Sequence, residues 1–255
     1  MTTLFNRVIP CLLLQDGGLV KTRGFRDPRY VGDPINAVRI FNDKYVDELV
    51  FLDIEASRNG REPDYDLIGR IAGECFMPLC YGGGIRTLAQ AQRIVAAGVE
   101  KIAVNSMAID QPELLTTLSR EFGASSVVAG IDVTRDFWGR ERVFHPGKRR
   151  ATRLDPVAHA RAVVEAGAGE IFLNSVERDG TGEGFDKDLI TRVCAAVKVP
   201  VIACGGAAGL DDMREAVGCG ASAAAAGSMF VFYGPHRAVL INYPAYASVR
   251  RLFAQ

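Results

Sequence analysis

The sequence predicts an α/β protein with the (β/α)8 architecture of a TIM barrel, assembled from two repeated half-barrels. Three observations predict it. Eight short apolar runs alternate with amphipathic segments along the chain. The second half repeats the first at a constant offset of 122 residues. A length of 255 residues accommodates eight such units in one domain, 1–255. A doubly wound open sheet is the rival architecture, and the repeat count decides against it.

The strand-like runs in order are Val8–Leu14, Leu49–Ile54, Met77–Cys80, Lys101–Val104, Val127–Ile131, Glu170–Leu173, Val199–Ala203 and Ala223–Ala226. Helical patterns fall between them, among them Pro34–Tyr45, Leu88–Ala97, Pro112–Phe122, Asp155–Ala166 and Leu210–Val217. Asp33-Pro34 and Asp155-Pro156 place a capping carboxylate before a proline suited to a first helical turn. Strands separated by single helices pair in parallel through crossovers. The repeat is gapless. Met77-Pro78-Leu79-Cys80-Tyr81-Gly82-Gly83-Gly84 meets Val199-Pro200-Val201-Ile202-Ala203-Cys204-Gly205-Gly206, and Ser106-Met107 meets Ser228-Met229. Glu48 falls on Glu170 and Glu55 on Glu177.

Composition narrows the function. Apolar residues make up 48% and charged residues 24%, and 30 basic side chains balance 30 acidic ones. No global basic field therefore points to nucleic acid or an anionic membrane. Six cysteines lie scattered without CxxC spacing, and three histidines lie far apart, so no metal site or disulfide frame is expected. No organic cofactor is implied. The longest uncharged stretch, Ala216–Pro235, is broken by Gly218, Gly220 and Gly227 and reads as a buried strand with turns, not a membrane span. Nothing resembles a secretory signal, so a cytoplasmic chain with reduced thiols is the expectation.

In such a barrel, chemistry sits at the C-terminal ends of the strands. Gly83-Gly84 and Gly205-Gly206 follow strands three and seven; Asn105-Ser106 and Gly227-Ser228 follow strands four and eight. Glycine lets backbone N–H groups approach an anion, so each half offers one phosphate cradle, with Asp179-Gly180 beside the second. Two cradles suit an elongated ligand phosphorylated at both ends. Relief of tight βα turns is the other reading of these glycines. Among carboxylates, Asp132 ends strand five and is expected to point into the mouth as the acid or base. Asp53 and Asp179 are either catalytic or hydrogen-bonding loop residues. Strand one, Cys11-Leu12-Leu13-Leu14, carries no carboxylate.

These residues, with Ile9-Pro10-Cys11, Gly32-Asp33-Pro34, the run Asp47 to Ile54, Gly82-Gly83-Gly84-Ile85 and Arg178-Asp179-Gly180-Thr181, resemble the cyclase subunit of imidazole glycerol phosphate synthase from Val8 to about Phe232. The resemblance implies acid–base catalysis on a bisphosphorylated ribulosyl substrate by a strand-one and a strand-five aspartate. The second matches Asp132, but the first matches Leu13, which cannot move a proton. Own cyclase activity is therefore doubtful. The family's lysine and strand-four asparagine match Lys21 and Asn105, while Asn174 replaces a strand-six threonine. A bypass through Gln15 or Asp16 is conceivable.

The resemblance also implies a glutaminase partner at the N-terminal face, delivering ammonia through a charged gate. The gate residues, one from each of four alternating strand starts, match Arg7, Glu48, Lys101 and Glu170. A salt-bridge plug is the structural alternative. Cys11-Leu12-Leu13-Leu14-Gln15-Asp16 and the passage His236 to Pro244 resemble a paralogous branch in bacterial surface-polysaccharide (O-antigen) pathways, working beside a separate sugar amidotransferase. The expected function is thus an ammonia-channelling barrel of a glutamine-dependent amidotransferase complex, converting an acetamido to an acetamidino sugar. A working cyclase of histidine biosynthesis is the alternative. Residues 14–33 are expected to form a mobile lid, and the cluster Lys148-Arg149-Arg150, within 134–153, a solvated loop.

Overall fold

The computed structural model describes residues 6–253, so the ends of the predicted domain, residues 1–5 and 254–255, lie outside the described residues. Eight strands, β1 (Arg7–Gln15), β2 (Leu49–Asp53), β3 (Leu79–Gly82), β4 (Lys101–Val104), β5 (Val127–Arg135), β6 (Glu170–Ser175), β7 (Val201–Cys204) and β8 (Ala223–Ala226), form the sheet. Each pairs in parallel with the next. β8 closes onto β1 from Arg7↔Ala223 to Pro10↔Ala226, so the sheet is a closed barrel without an edge.

Outside it run α1 (Pro34–Asn42), α2 (Tyr65–Glu74), α3 (Leu88–Ala96), α4 (Glu113–Phe122), α5 (Pro156–Glu165), α6 (Lys187–Ala196), α7 (Leu210–Gly218) and α8 (Tyr246–Leu252). Five of these start at a side chain that accepts an early helical N–H: Asp33, Asp64, Thr87, Asp155 and Asp186. The repeat is visible in three dimensions. α2 and α6, β3 and β7, α3 and α7, and β4 and β8 each begin and end 122 residues apart.

Where strand bounds shift from expectation, the backbone explains it. β3 and β7 begin just after Pro78 and Pro200, which lack the N–H a ladder needs; their carbonyls instead accept from Leu49 and Ile171. β5 runs past Ile131 to Arg135 because it pairs antiparallel with a strand over Glu141–His145, from Asp132↔Phe144 to Arg135↔Glu141. The segment expected as a solvated loop is therefore largely a hairpin. Residues 14–33 likewise fold as a hairpin, with Gly18–Arg23 paired to both β1 and Arg26–Gly32.

Apolar burial occurs in two layers. Helix-facing residues such as Phe41, Leu115 and Phe230 pack between sheet and helices. Inside the barrel, Ile9, Cys11, Val50, Cys80, Ala103, Val128, Phe172, Ile202, Ala223 and Ala225 form a second cluster. The cysteines are free thiols, and no described helix is long and apolar enough to cross a membrane.

Candidate functional site

The C-terminal mouth of the barrel opens into a cavity of about 200 Å³. Every residue singled out for chemistry or phosphate lines it: Leu13, Lys21, Asn105 and Asp132, with Gly83, Gly84, Ser106, Asp179, Gly180, Gly205, Gly206, Gly227 and Ser228. Parallel strands with a common direction bring these ends together, although the residues span most of the chain.

Asp132 sits at the base, buried, in register with Asn174 on β6. Asn105 Nδ2 donates to its Oδ2 at 2.8 Å and Asn174 Nδ2 to its Oδ1 at 3.3 Å. Burial pushes the Asp132 carboxyl up to about 7, although the Asn174 and Asn105 amides favour the charged form. A group poised there can give or take a proton near neutral pH. The consequence for stability has a definite sign. Below about pH 4 both folded and unfolded chains hold this proton. Between about 4 and 7 the unfolded chain releases it first, so stability falls, on the order of 4 kcal/mol in total, and then levels off. Denaturant unfolding at stepped pH should show this decline, and Asp132→Asn should flatten it.

Lys21 comes from the first hairpin and is buried beside β1 and β8. Its Nζ donates to the Cys11 carbonyl at 2.5 Å and lies so close over Gly227 that a side chain there would collide with it. Burial pushes its pKa down, while Cys11 and Asp179 nearby oppose this. Leu13, in register with Leu52 of β2, packs with Leu52 and Cys204 against the inner apolar cluster. No carboxylate takes its place: Asp16 is exposed in the turn before Gly18, and neither Asp16 nor Gln15 lines the mouth. The bypass through either residue is thus not supported by the geometry.

Asp53 and Asp179 line the cavity and also hold loop hydrogen bonds. Asp53 Oδ1 accepts from the Glu55 and Ala56 N–H groups. Asp179 Oδ2 accepts from Thr22 Oγ1 at 2.7 Å and from the Phe25 N–H, tying the first hairpin to the β6 loop. In the first cradle, the Gly84 N–H donates to Ser57 Oγ, while Ser106 Oγ is buried without a partner among the described residues. In the second, Gly206 has φ +109° and a Cβ would collide with the Gly184 carbonyl. Gly206→Ala should therefore destabilise by about 2 kcal/mol or more, whereas Gly69→Ala, in α2 with open space around it, should stabilise by about 0.5–1 kcal/mol. Thermal unfolding of the two variants checks this contrast.

At the opposite end, the four charged residues close a ring. The Arg7 guanidinium bridges Glu48 and Glu170. Lys101 Nζ donates to both Glu48 oxygens at 3.0 Å and to Glu170 Oε2 at 2.8 Å. Each cation thus touches two anions. Arg7, Lys101 and Glu170 start β1, β4 and β6, and Glu48 directly precedes β2, so the ring does not draw on four alternating strands. Burial alone would lower the Arg7 and Lys101 pKa values, but the two glutamates hold both above their ordinary values.

Sequence reasoning missed Arg58, Phe25, Phe144 and Phe172 at the mouth, which no motif marks. Arg149 also lines it, while all three residues of its cluster are exposed, as expected of solvated charge.

Residues 7–236 match the histidine biosynthesis protein family. The chain is 55% identical to a provisionally named imidazole glycerol phosphate synthase subunit hisF2 of Pseudomonas aeruginosa, over 94% of this chain and 96% of that protein. It is 47% identical to one named hisF3 from Vibrio vulnificus, over 95% and 94%. It is 43% identical to imidazole glycerol phosphate synthase subunit HisF of Streptomyces avermitilis, over 90% and 92%. With its closed barrel and paired half-sites, the chain belongs to the histidine biosynthesis protein family, as a barrel of the HisF type.

Proposed function

We propose that this chain is the synthase-type barrel of a glutamine-dependent amidotransferase complex, receiving ammonia from a glutaminase at its N-terminal face without completing cyclisation itself. The observation that carries the proposal is Leu13 at the mouth, where the resemblance requires a proton-transferring aspartate, above an intact ring of Arg7, Glu48, Lys101 and Glu170. Between ring and mouth the interior is apolar, from Ile9 and Ala223 to Phe172. Such a wall suits neutral ammonia and opposes ammonium, whose charge would be desolvated. The greater identity to hisF2 and hisF3 than to the Streptomyces HisF supports a paralogous role. In that role a separate cytoplasmic amidotransferase uses the ammonia to convert an acetamido sugar to an acetamidino one.

One feature favours a working cyclase: burial pushes the Asp132 carboxyl up to about 7, and it shares its cavity with the glycines read as phosphate cradles. Adding the chain to its glutaminase subunit with glutamine and the bisphosphorylated ribulosyl substrate separates the two. The proposal expects glutamine hydrolysis to rise while the substrate stays intact. Steady conversion of the substrate establishes the cyclase instead.

A further inference from the structure

The hairpin after β5 holds a cationic group over the mouth that the proposed function leaves unused. Residues 134–153 carry seven basic and two acidic side chains, in a chain whose formal net charge is zero. Most of these charges sit on the outer surface of the hairpin. Arg149, exposed like its neighbours, also lines the cavity.

Three contacts fix where Arg149 stands. Lys148 Nζ donates to Asp110 Oδ1 at 2.6 Å, and His145 Nε2 lies 3.0 Å from Asp110 Oδ2. Asp110 ends the short helix Ser106–Asp110 that begins at the first cradle, so the hairpin is clipped to that cradle. Gly147 packs so closely that a Cβ there would lie 3.2 Å from Ser106 Oγ. From the next turn, Arg149 Nη2 donates to the Phe25 carbonyl at 3.1 Å, and Phe25 in turn packs edge-on against Phe144. Arg149 thus ties to the first hairpin a segment that its neighbours Lys148, His145 and Gly147 hold against Ser106–Asp110.

Two features say that this placement serves more than the strap. Arg149 adopts φ +49°, a left-handed conformation that side chains seldom take and that persists where surrounding structure imposes it. The hydrogen bond to Phe25 uses one of the five guanidinium N–H groups. In the same cavity, next to Gly147, Ser106 Oγ is a buried hydroxyl lacking a partner among the described residues. An orphan hydroxyl and a guanidinium with free donors lining one cavity are complementary to a tetrahedral oxyanion, with the fork geometry that favours phosphate.

We propose that Arg149 is an anion-recognition residue of the mouth, donating to the phosphate of a ligand seated at the Gly83-Gly84 and Asn105-Ser106 cradle. The inference rests on the reading of those residues as a phosphate site. Its asymmetry is the distinctive part. The first cradle is served by Arg149 from the β5 hairpin, whereas the second has Lys21, over Gly227, from the β1 hairpin. Each end of an elongated bisphosphate thus meets its own cation.

The test is an amide NMR titration of the purified chain with inorganic phosphate, following Ser106 and Ser228 separately. Arg149→Ala should weaken binding at Ser106 by about tenfold or more and leave binding at Ser228 unchanged. Arg149→Lys should recover part of the loss, because charge is kept and the fork is not. Arg150→Ala removes the same charge one residue away, outside the cavity, and should change neither site. The proposal is overturned if Arg149→Ala binds like wild type, or if Arg150→Ala weakens Ser106 equally, which would mean a general basic field. It is also overturned if phosphate never perturbs Ser106. That last result would remove phosphate from the proposed function but leave the ammonia route, which the glutaminase experiment tests, untouched.

Discussion

Leu13→Asp is expected to raise turnover of the bisphosphorylated ribulosyl aminoimidazole substrate by about 10²–10⁴-fold over the wild-type chain, measured with saturating ammonium salt. The size follows from what one positioned acid–base group contributes to a proton-transfer reaction. The geometry makes the substitution plausible: Leu13 already lines the cavity, on a strand held in register between β2 and the first hairpin. Its apolar surroundings, Leu52 and Cys204, would raise the new carboxyl's pKa, as a general acid working near neutral pH requires. The same surroundings make the change destabilising by a few kcal/mol, so folding should be checked by thermal unfolding before activity is read. If a folded Leu13→Asp chain remains inert, the lost acid is not what separates this barrel from a cyclase. Asn174, standing where the resemblance has a threonine and donating to Asp132, becomes the next residue to exchange.

Breaking the charged ring should cost substantial stability. Glu48→Ala leaves Arg7 and Lys101 sharing Glu170 alone. Removing one partner of a buried pair costs about 3–5 kcal/mol; the partly exposed cations place the expectation at the lower end, about 3 kcal/mol, or a fall in Tm of about 6–12 °C. Replacing all four residues by apolar side chains of similar size should restore most of that stability, because no charge is then left unpaired. The pair of variants separates the two readings of the ring. A plug whose role is structural would be replaced without functional loss by the apolar set. An ammonia gate would not: the stable, uncharged variant should lose transfer of glutamine-derived nitrogen through the barrel and leak ammonia to solvent.

The strengths and failures of the sequence reading have physical causes. Strand ends and the glycines that follow them are legible because the two halves share one register, so each βα junction occurs twice; Gly83 and Gly205, or Ser106 and Ser228, check one another. Asp132 was legible because it ends an apolar run. The two hairpins were not. Their strands rest on pairing between Leu13 and Val20, or Asp132 and Phe144, and such pairing leaves only a weak pattern in polar, arginine-rich segments. Lys148, Arg149 and Arg150 are all exposed, as a basic cluster predicts; which of them reaches the mouth depends on the hairpin's contacts, Lys148 with Asp110 among them. The ring was recognised by its residues, but its strand assignment failed, since the four residues do not draw on alternating strands.

The central claim is that this barrel conducts ammonia but does not cyclise. It is tested most directly by assaying the purified chain with the bisphosphorylated ribulosyl aminoimidazole substrate and excess ammonium salt at mildly alkaline pH. Free ammonia replaces the glutaminase, so the rate reports only the chemistry of the mouth. The account predicts no turnover from a folded chain whose Ser106 and Ser228 cradles still bind inorganic phosphate. Sustained turnover by the wild-type chain, with Leu13 in place, would contradict it.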